Sequence, residues 1–141
     1  METPTFAPRR IDEIASYHAH VYFCASTLPR AQELRAALSD RFAVRVGRVH
    51  TSPVGPHSAS MFQVAFATSL FGTFVPWLML NRNGLSILVH PNTIHPQHDH
   101  ATDSLWLGTP LPLCTQNLPL TQQQADEAGV PNTTPDPNIT V

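Results

Sequence analysis

Two histidines separated by one residue, His18 and His20, are the side chains of this 141-residue sequence whose spacing best suits metal chemistry. The stretch from Tyr17 to Phe23 alternates polar and apolar residues, which predicts a half-buried β-strand. On a strand, residues i and i+2 project from the same face, so both imidazoles point one way. Neutral imidazole is the commonest metal ligand among side chains. The alternative is a pair of solvated histidines on an open sheet, so the rest of the chain must supply partners.

The elements that would position these histidines alternate as strand, helix, strand, strand, helix, strand. Periodicity and turn residues predict strands at 17–24, 42–46, 61–68 and 85–90, helices at about 27–40 and 69–82, and a short fifth strand at 104–108. Pro76 predicts that the second helix kinks or begins late, near residue 74. The βαββαβ order predicts an α+β, ferredoxin-like fold, with an antiparallel sheet in the strand order 4-1-3-2 and two helices on one face.

That strand order brings further polar side chains to the first two histidines. The larger apolar residues of each strand face the helices, which leaves a polar set on the open face: His18, His20, Gln63 and His90. The start of strand one lies beside the end of strand four, so His18 should meet His90 with His20 further in. His57 would join them if the loop before strand three curls inward. Such an open, nitrogen-rich site suits Fe(II), zinc or another divalent ion.

A carboxylate ligand is harder to place. The acids nearest the cluster in sequence are Asp99 and Asp103, and neither falls on a predicted strand. A site of two histidines and a carboxylate, an all-histidine site, and one completed by water and substrate therefore all stay open. His100, next to Asp99, is either a proton relay or a polar loop residue. The other histidines are predicted to face solvent: His50, His95 and His98.

Composition narrows the class of protein. An apolar share of 42% is ordinary for a globular chain, and the net charge of −2 argues against a nucleic-acid partner. Two cysteines are too few for a disulfide framework, and no leader peptide or membrane span is recognisable, so we expect a cytoplasmic protein. We predict an N-terminal arm at 1–16, one domain at 17–113, and a polar tail at 114–141 that is rich in Pro, Gln and Asn.

The open face of the predicted sheet also carries apolar residues, including Tyr22, Met61 and Leu88. Such a surface is expected to be covered, either by a second subunit or by the tail. A cleft beneath that cover would suit a small molecule.

Four groups of segments within residues 17–113 carry a resemblance to one family. They are HAHVYF at 18–23, GPH at 55–57 with FQVAF at 62–66, LNR at 80–82 with GLSILVHPNT at 84–93, and DH at 99–100 with LWLG at 105–108. In these segments, their order and their spacing, the chain resembles the DOPA 4,5-dioxygenase family. The chain departs from the family pattern at Ala101, where threonine is usual, and at Asp103, where a second histidine is frequent.

The resemblance implies a ferredoxin-like α+β fold, a homodimer, and a non-haem Fe(II) enzyme that uses O2 as co-substrate. The implied reaction is extradiol cleavage of DOPA or a related catechol to a seco-acid that cyclises. The resemblance, together with the alternation of side chains along the strands, makes three residues the expected metal ligands: His18, His20 and His90. His57 and His100 would act as acid, base or substrate-orienting groups.

Two other classes of function fit the same residues. One is a non-catalytic module that holds a small aromatic molecule or a metal on the open face. The other is a metal-dependent enzyme of non-oxidative chemistry, such as a lyase or isomerase. Ligand binding without turnover would indicate the first, and turnover with zinc but without O2 would indicate the second.

Overall fold

The computed structural model describes residue 3 and residues 5–121. The elements follow in the order β1 (Ser16–Phe23), α1 (Leu28–Arg41), β2 (Arg45–Val46), β3 (Ser60–Phe66), α2 (Phe71–Asn81), β4 (Ile87–Asn92), α3 (Pro96–His100) and β5 (Leu105–Leu107). The predicted sequence of strands and helices is therefore confirmed, including the short fifth strand. The second strand is shorter than predicted, because only its last two residues pair with β3.

The five strands form one antiparallel sheet in the order β2-β3-β1-β4-β5. The predicted order of the first four strands is confirmed, and β5 adds an edge beside β4. Both main helices pack on the same face. The core between helices and sheet includes Ala31, Leu34, Leu38, Phe74 and Leu78 from the helices and Ala19, Val21, Phe62, Val64, Ile87 and Val89 from the strands. Burying the apolar set of every strand on that face forces the alternate residues onto the other face.

Helix α2 contains Pro76 in its interior and nevertheless begins at Phe71. The expected late start near residue 74 is wrong. A proline here removes one backbone hydrogen bond, but the helix follows directly from a 3-10 turn at Thr68–Leu70 and buries Phe74 and Leu78 in the core. Burial of these side chains offsets the local loss.

The face of the sheet opposite the helices is covered by the chain after β5. Tyr22, Met61 and Leu88 form a small apolar cluster there, against which Trp106, Leu111 and Leu113 pack. Leu113 pairs with His57 in an isolated β-bridge, and the Cys114 N–H donates to the Pro56 carbonyl. Of the two covers expected from the sequence, the chain itself therefore supplies one, through the end of the predicted domain and the first residue of the predicted tail. The rest of that tail, residues 122–141, lies outside the described residues.

The second half of the segment before β1 is bound to the rest of the fold by an ion pair and a backbone hydrogen bond. Arg9 forms ion pairs with Glu13 and with Asp103, and the Ala15 N–H donates to the Asn92 carbonyl. The boundaries of the arm and of the domain stay predictions. Across the described residues, no helix combines the length and the apolar character needed to cross a membrane.

Two leucines of α2 give a matched test of this packing. Leu78 is 0% exposed, whereas Leu80 is 86% exposed. Leu78→Ala should lower the free energy of unfolding by about 2–5 kcal/mol, because it leaves a cavity between helix and sheet. Leu80→Ala should change it by no more than about 0.5 kcal/mol. Urea denaturation followed by circular dichroism measures both, and equal losses would contradict the assigned helix face.

Candidate metal centre

Three histidines converge on the face of the sheet opposite the helices. The pairing of β1 with β4 places His18 directly across from His90, and His20 follows on the same face of β1. One ring nitrogen of each lies within 4.8 Å of the others. His20 and His90 are buried, and His18 is half-buried. The predicted meeting of these three side chains is confirmed, although their role as ligands is a separate question.

The two buried imidazoles face each other through their Nε2 atoms, which are 3.0 Å apart. The Nδ1–H of His90 donates to the carbonyl of Pro91 at 2.9 Å, so its Nε2 carries a bare lone pair in the neutral ring. His20 Nδ1 is buried without a hydrogen-bond partner among the described residues. Either tautomer of His20 therefore leaves an unsatisfied buried nitrogen, which costs about 1–3 kcal/mol.

A divalent cation fits this arrangement. The Nε2 atoms of His20 and His90, 3.0 Å apart, are close enough for both to bind one cation. A cation held by both Nε2 atoms would replace this contact with ligand bonds, and His20 would then carry its hydrogen on Nδ1. His18 is placed to offer a third nitrogen. The donor set is nitrogen-rich, as Fe(II) and zinc both accept.

The surroundings of His20 and His90 favour the neutral imidazole, which is the form that binds metal. Burial lowers the pKa of His20 and of His90 well below the usual value, and the neighbouring histidines lower both further. Burial also lowers the pKa of His57 to about 4, with His100 as the next cause. The pKa of His100 is lowered mainly by burial, against an opposing hydrogen bond to Pro96. Burial thus favours the neutral form of these four rings.

Two further histidines flank the three. The ring centroid of His57 lies 4.2 Å from that of His20, and the ring centroid of His100 lies 3.9 Å from that of His90. His57 comes from the loop before β3, which curls inward as expected, and His100 is the last residue of α3. The five predicted site histidines thus lie in one cluster. Their division into ligands and acid/base groups stays a prediction.

Fixed hydrogen bonds orient both flanking rings. His57 Nδ1 is 2.6 Å from the hydroxyl oxygen of Tyr22, and the Nδ1–H of His100 donates to the carbonyl of Pro96 at 2.8 Å. Tyr22 in turn stacks on Trp106, with ring centroids 5.6 Å apart. The alternation of β1 placed Tyr22 on the correct face, but sequence reasoning assigned it no part in the site.

The two acids near the cluster are used elsewhere. Asp99 is buried, and its carboxylate accepts hydrogen bonds from the backbone N–H and the hydroxyl of Thr93, at 2.8 and 2.6 Å. Asp99 therefore ties α3 to the end of β4. Asp103 pairs with Arg9. Among the described residues, the nearby group suited to a metal is the three-histidine set.

The cluster opens into a cavity of about 300 Å³. Besides the imidazoles of His18, His20, His57 and His100, its walls include Gln63, Asn92, Leu118 and Pro119. The last two come from the segment after β5, whose lack of periodicity hid this role in the sequence. The histidines predicted to face solvent stay outside the three-histidine group: His98 is exposed, and His50 and His95 are half-buried.

Comparison with known proteins defines the class to which this fold and site belong. The sequence profile of the Dopa 4,5-dioxygenase family matches residues 17–117, which is more than half of the chain. The chain therefore belongs to the DOPA 4,5-dioxygenase family, and the resemblance noted in the sequence is confirmed.

Individual relatives agree with this assignment. The chain is 34% identical over 120 residues to DOPA 4,5-dioxygenase of Amanita muscaria, with coverage of 77% of this chain and 51% of the relative. It is 36% identical over 110 residues to an uncharacterized 21.2 kDa protein of Botryotinia fuckeliana, with coverage of 70% and 60%. The chain thus spans only part of these curated relatives.

A solved structure is also similar. The crystal structure of a candidate dioxygenase from Nostoc punctiforme matches with a TM-score of 0.76 and 50% sequence identity, and the match covers 77% of this chain and 95% of that one.

The buried, neutral histidines predict loss of stability in acid. Folding holds the pKa of His57 near 4, whereas the unfolded chain takes up the proton near 6.5. Protons therefore favour the unfolded state, and the free energy of unfolding of metal-free protein should fall as pH drops from 7 to 5. His57→Gln should reduce the slope by up to about 1.4 kcal/mol per pH unit, the limit for one proton. Urea titrations across this range test it, and equal slopes would contradict it.

Proposed function

We propose that this chain is an extradiol ring-cleaving dioxygenase that acts on DOPA or a related catechol with non-haem Fe(II) and O2. The observation that carries the proposal is the meeting of three imidazoles, His18, His20 and His90, beside a cavity that two of them, His18 and His20, line. Family membership and the name of the Amanita muscaria relative support the choice of chemistry. The product would be a seco-acid that cyclises.

In this proposal the three imidazoles hold the metal, and Fe(II) bound there would supply the Lewis acidity and redox chemistry through which a catechol reacts with O2. The chain supplies the geometry. His20 and His90 are locked by burial in the β1–β4 ladder, so two ligands need little reorganisation. The Pro91 carbonyl fixes the His90 ring by accepting its Nδ1–H.

The cavity supports a small aromatic substrate. Its volume of about 300 Å³ is at the lower end of the range of about 300–1,000 Å³ typical of small-molecule sites. Leu118 and Pro119 form part of the wall and give it apolar surface that a bound aromatic ring can contact. His57 and His100 stand beside the metal ligands and are placed to handle the protons of the catechol hydroxyls.

The finer assignments of architecture and assembly belong to the same proposal. The βαββαβ order and the strand order support the ferredoxin-like name for the fold. We also propose a cytoplasmic homodimer. Size-exclusion chromatography with light scattering tests the assembly, and a mass of one chain would remove the dimer from the proposal.

Metal binding is the first test of the three-histidine site. His90→Ala should weaken Zn(II) or Co(II) binding by more than about 100-fold, because a buried ligand is lost. The matched control is His98→Ala, which removes an exposed histidine outside the cluster. Isothermal titration calorimetry on chelator-treated protein measures both affinities. Unchanged affinity in His90→Ala would remove this residue from the metal site.

Turnover is the second test. Iron-loaded protein mixed anaerobically with L-DOPA should consume O2 on its admission and give a yellow ring-opened product. His20→Ala should reduce the rate by at least about 100-fold, whereas His98→Ala should keep it. An oxygen electrode and absorbance spectra record the reaction. Turnover of a catechol with zinc in the absence of O2 would favour the non-oxidative enzyme, and binding without turnover would favour the non-catalytic module.

A further inference from the structure

We infer that Tyr22 is a positioning residue that fixes His57 as an N–H donor to the cavity, opposite His100, whose own bond to Pro96 leaves a bare acceptor nitrogen. The inference deepens the proposed function and rests on it for the identity of the substrate. The hydrogen-bonded state of the two rings can be tested without any turnover.

The first step concerns the bond between Tyr22 and His57. The hydroxyl oxygen of Tyr22 lies 2.6 Å from His57 Nδ1, and both residues are buried. A phenol O–H is a better donor than a neutral imidazole N–H, and a bare imidazole nitrogen is a better acceptor than a phenol oxygen. Tyr22 therefore donates to Nδ1. Burial raises the pKa of Tyr22, so the phenol keeps the proton that it donates.

The consequence lies at the other nitrogen of the His57 ring. A neutral imidazole carries one N–H, and because Nδ1 accepts, that hydrogen is on Nε2. Nε2 of His57 has no hydrogen-bond partner among the described residues. It is not fully buried either, so a molecule in the cavity can reach it. Since His57 lines the cavity, its Nε2–H is available to a bound molecule as a donor.

His100 has the reverse arrangement. Its Nδ1 lies 2.8 Å from the carbonyl of Pro96, and a carbonyl oxygen can only accept, so the single hydrogen of the neutral ring is on Nδ1. Nε2 of His100 therefore carries no hydrogen. Among the described residues it has no hydrogen-bond partner, and it is not fully buried, so it is open to the cavity. The buried carboxylate of Asp99 bonds to Thr93 and holds the short helix that carries this ring.

The two rings lie within reach of one small substrate, since their centroids are 6.3 Å apart. One hydroxyl of a bound catechol then donates a hydrogen bond to the bare Nε2 of His100. The Nε2–H of His57 donates to the second oxygen of the same molecule. An acceptor and a fixed donor are thus set before substrate arrives.

The test reads the tautomers directly. Two-bond ¹H–¹⁵N correlation spectra of the full chain, free of paramagnetic metal and recorded at pH 7.5, distinguish N–H from bare nitrogen in each ring, and His57→Gln and His100→Gln assign the signals. We expect His57 with its hydrogen on Nε2 and His100 with its hydrogen on Nδ1. A His57 ring with its hydrogen on Nδ1 would overturn the inference.

Tyr22→Phe removes only the hydroxyl and separates positioning from packing. It should convert the His57 signals to a mixture of tautomers and leave those of His100 unchanged. Tyr17→Phe, which alters the chain's other tyrosine on the opposite face of β1, is the matched control and should change neither ring. A His57 ring that keeps its single tautomer in Tyr22→Phe would overturn the role of Tyr22.

Steady-state kinetics provide a second test of the role of Tyr22 if the proposed function holds. Tyr22→Phe should lower kcat for the catechol by about 10- to 100-fold with little change in KM, since a donor to developing charge is weakened. An unchanged kcat would overturn the catalytic consequence. If catechol turnover is absent in the parent, the proposed function fails, whereas the tautomer spectra still decide the inference.

Discussion

The antiparallel pairing of β1 with β4 is the constraint on which the site depends. One register sets His18 across from His90 and brings the Nε2 atoms of His20 and His90 to 3.0 Å. A slip of one residue would turn every side chain of the strand to the other face. Ala19 and Val21, both fully buried beneath the helices, prevent that slip. The hydrophobic core on one face of the sheet therefore specifies the chemistry on the other.

The site lowers the free energy of unfolding of the ligand-free protein, as expected of a site that binds a ligand. The buried His20 Nδ1 without a hydrogen-bond partner weakens the native state unless a ligand or cation changes its surroundings. The two-helix core supplies the stability that the site lacks. Proteins depart in this way from full satisfaction of buried polar groups where function requires it.

The cover over the site links the fold to substrate access. The chain after β5 returns across the sheet, pairs with the loop that carries His57, and places Leu118 and Pro119 at the cavity wall. The segment that closes the cavity thus also contacts Tyr22 and His57, through Leu111 and Leu113. A change in this cover would alter both the size of the cavity and the placement of a flanking ring.

Alternation and element order in the sequence determined which side chains share a face and which strands are neighbours, so the meeting of His18, His20 and His90 could be predicted. Both signals are periodic and local, and an apolar core enforces them. Only the tertiary structure decided the use of Asp99, the bond from Tyr22 to His57 and the return of the chain over the cavity. These depend on loops without periodicity and on contacts between distant residues, such as the 35 positions that separate Tyr22 from His57. Hydrogen bonds of that kind are set by final packing, because each side chain has several possible partners until the backbone is fixed.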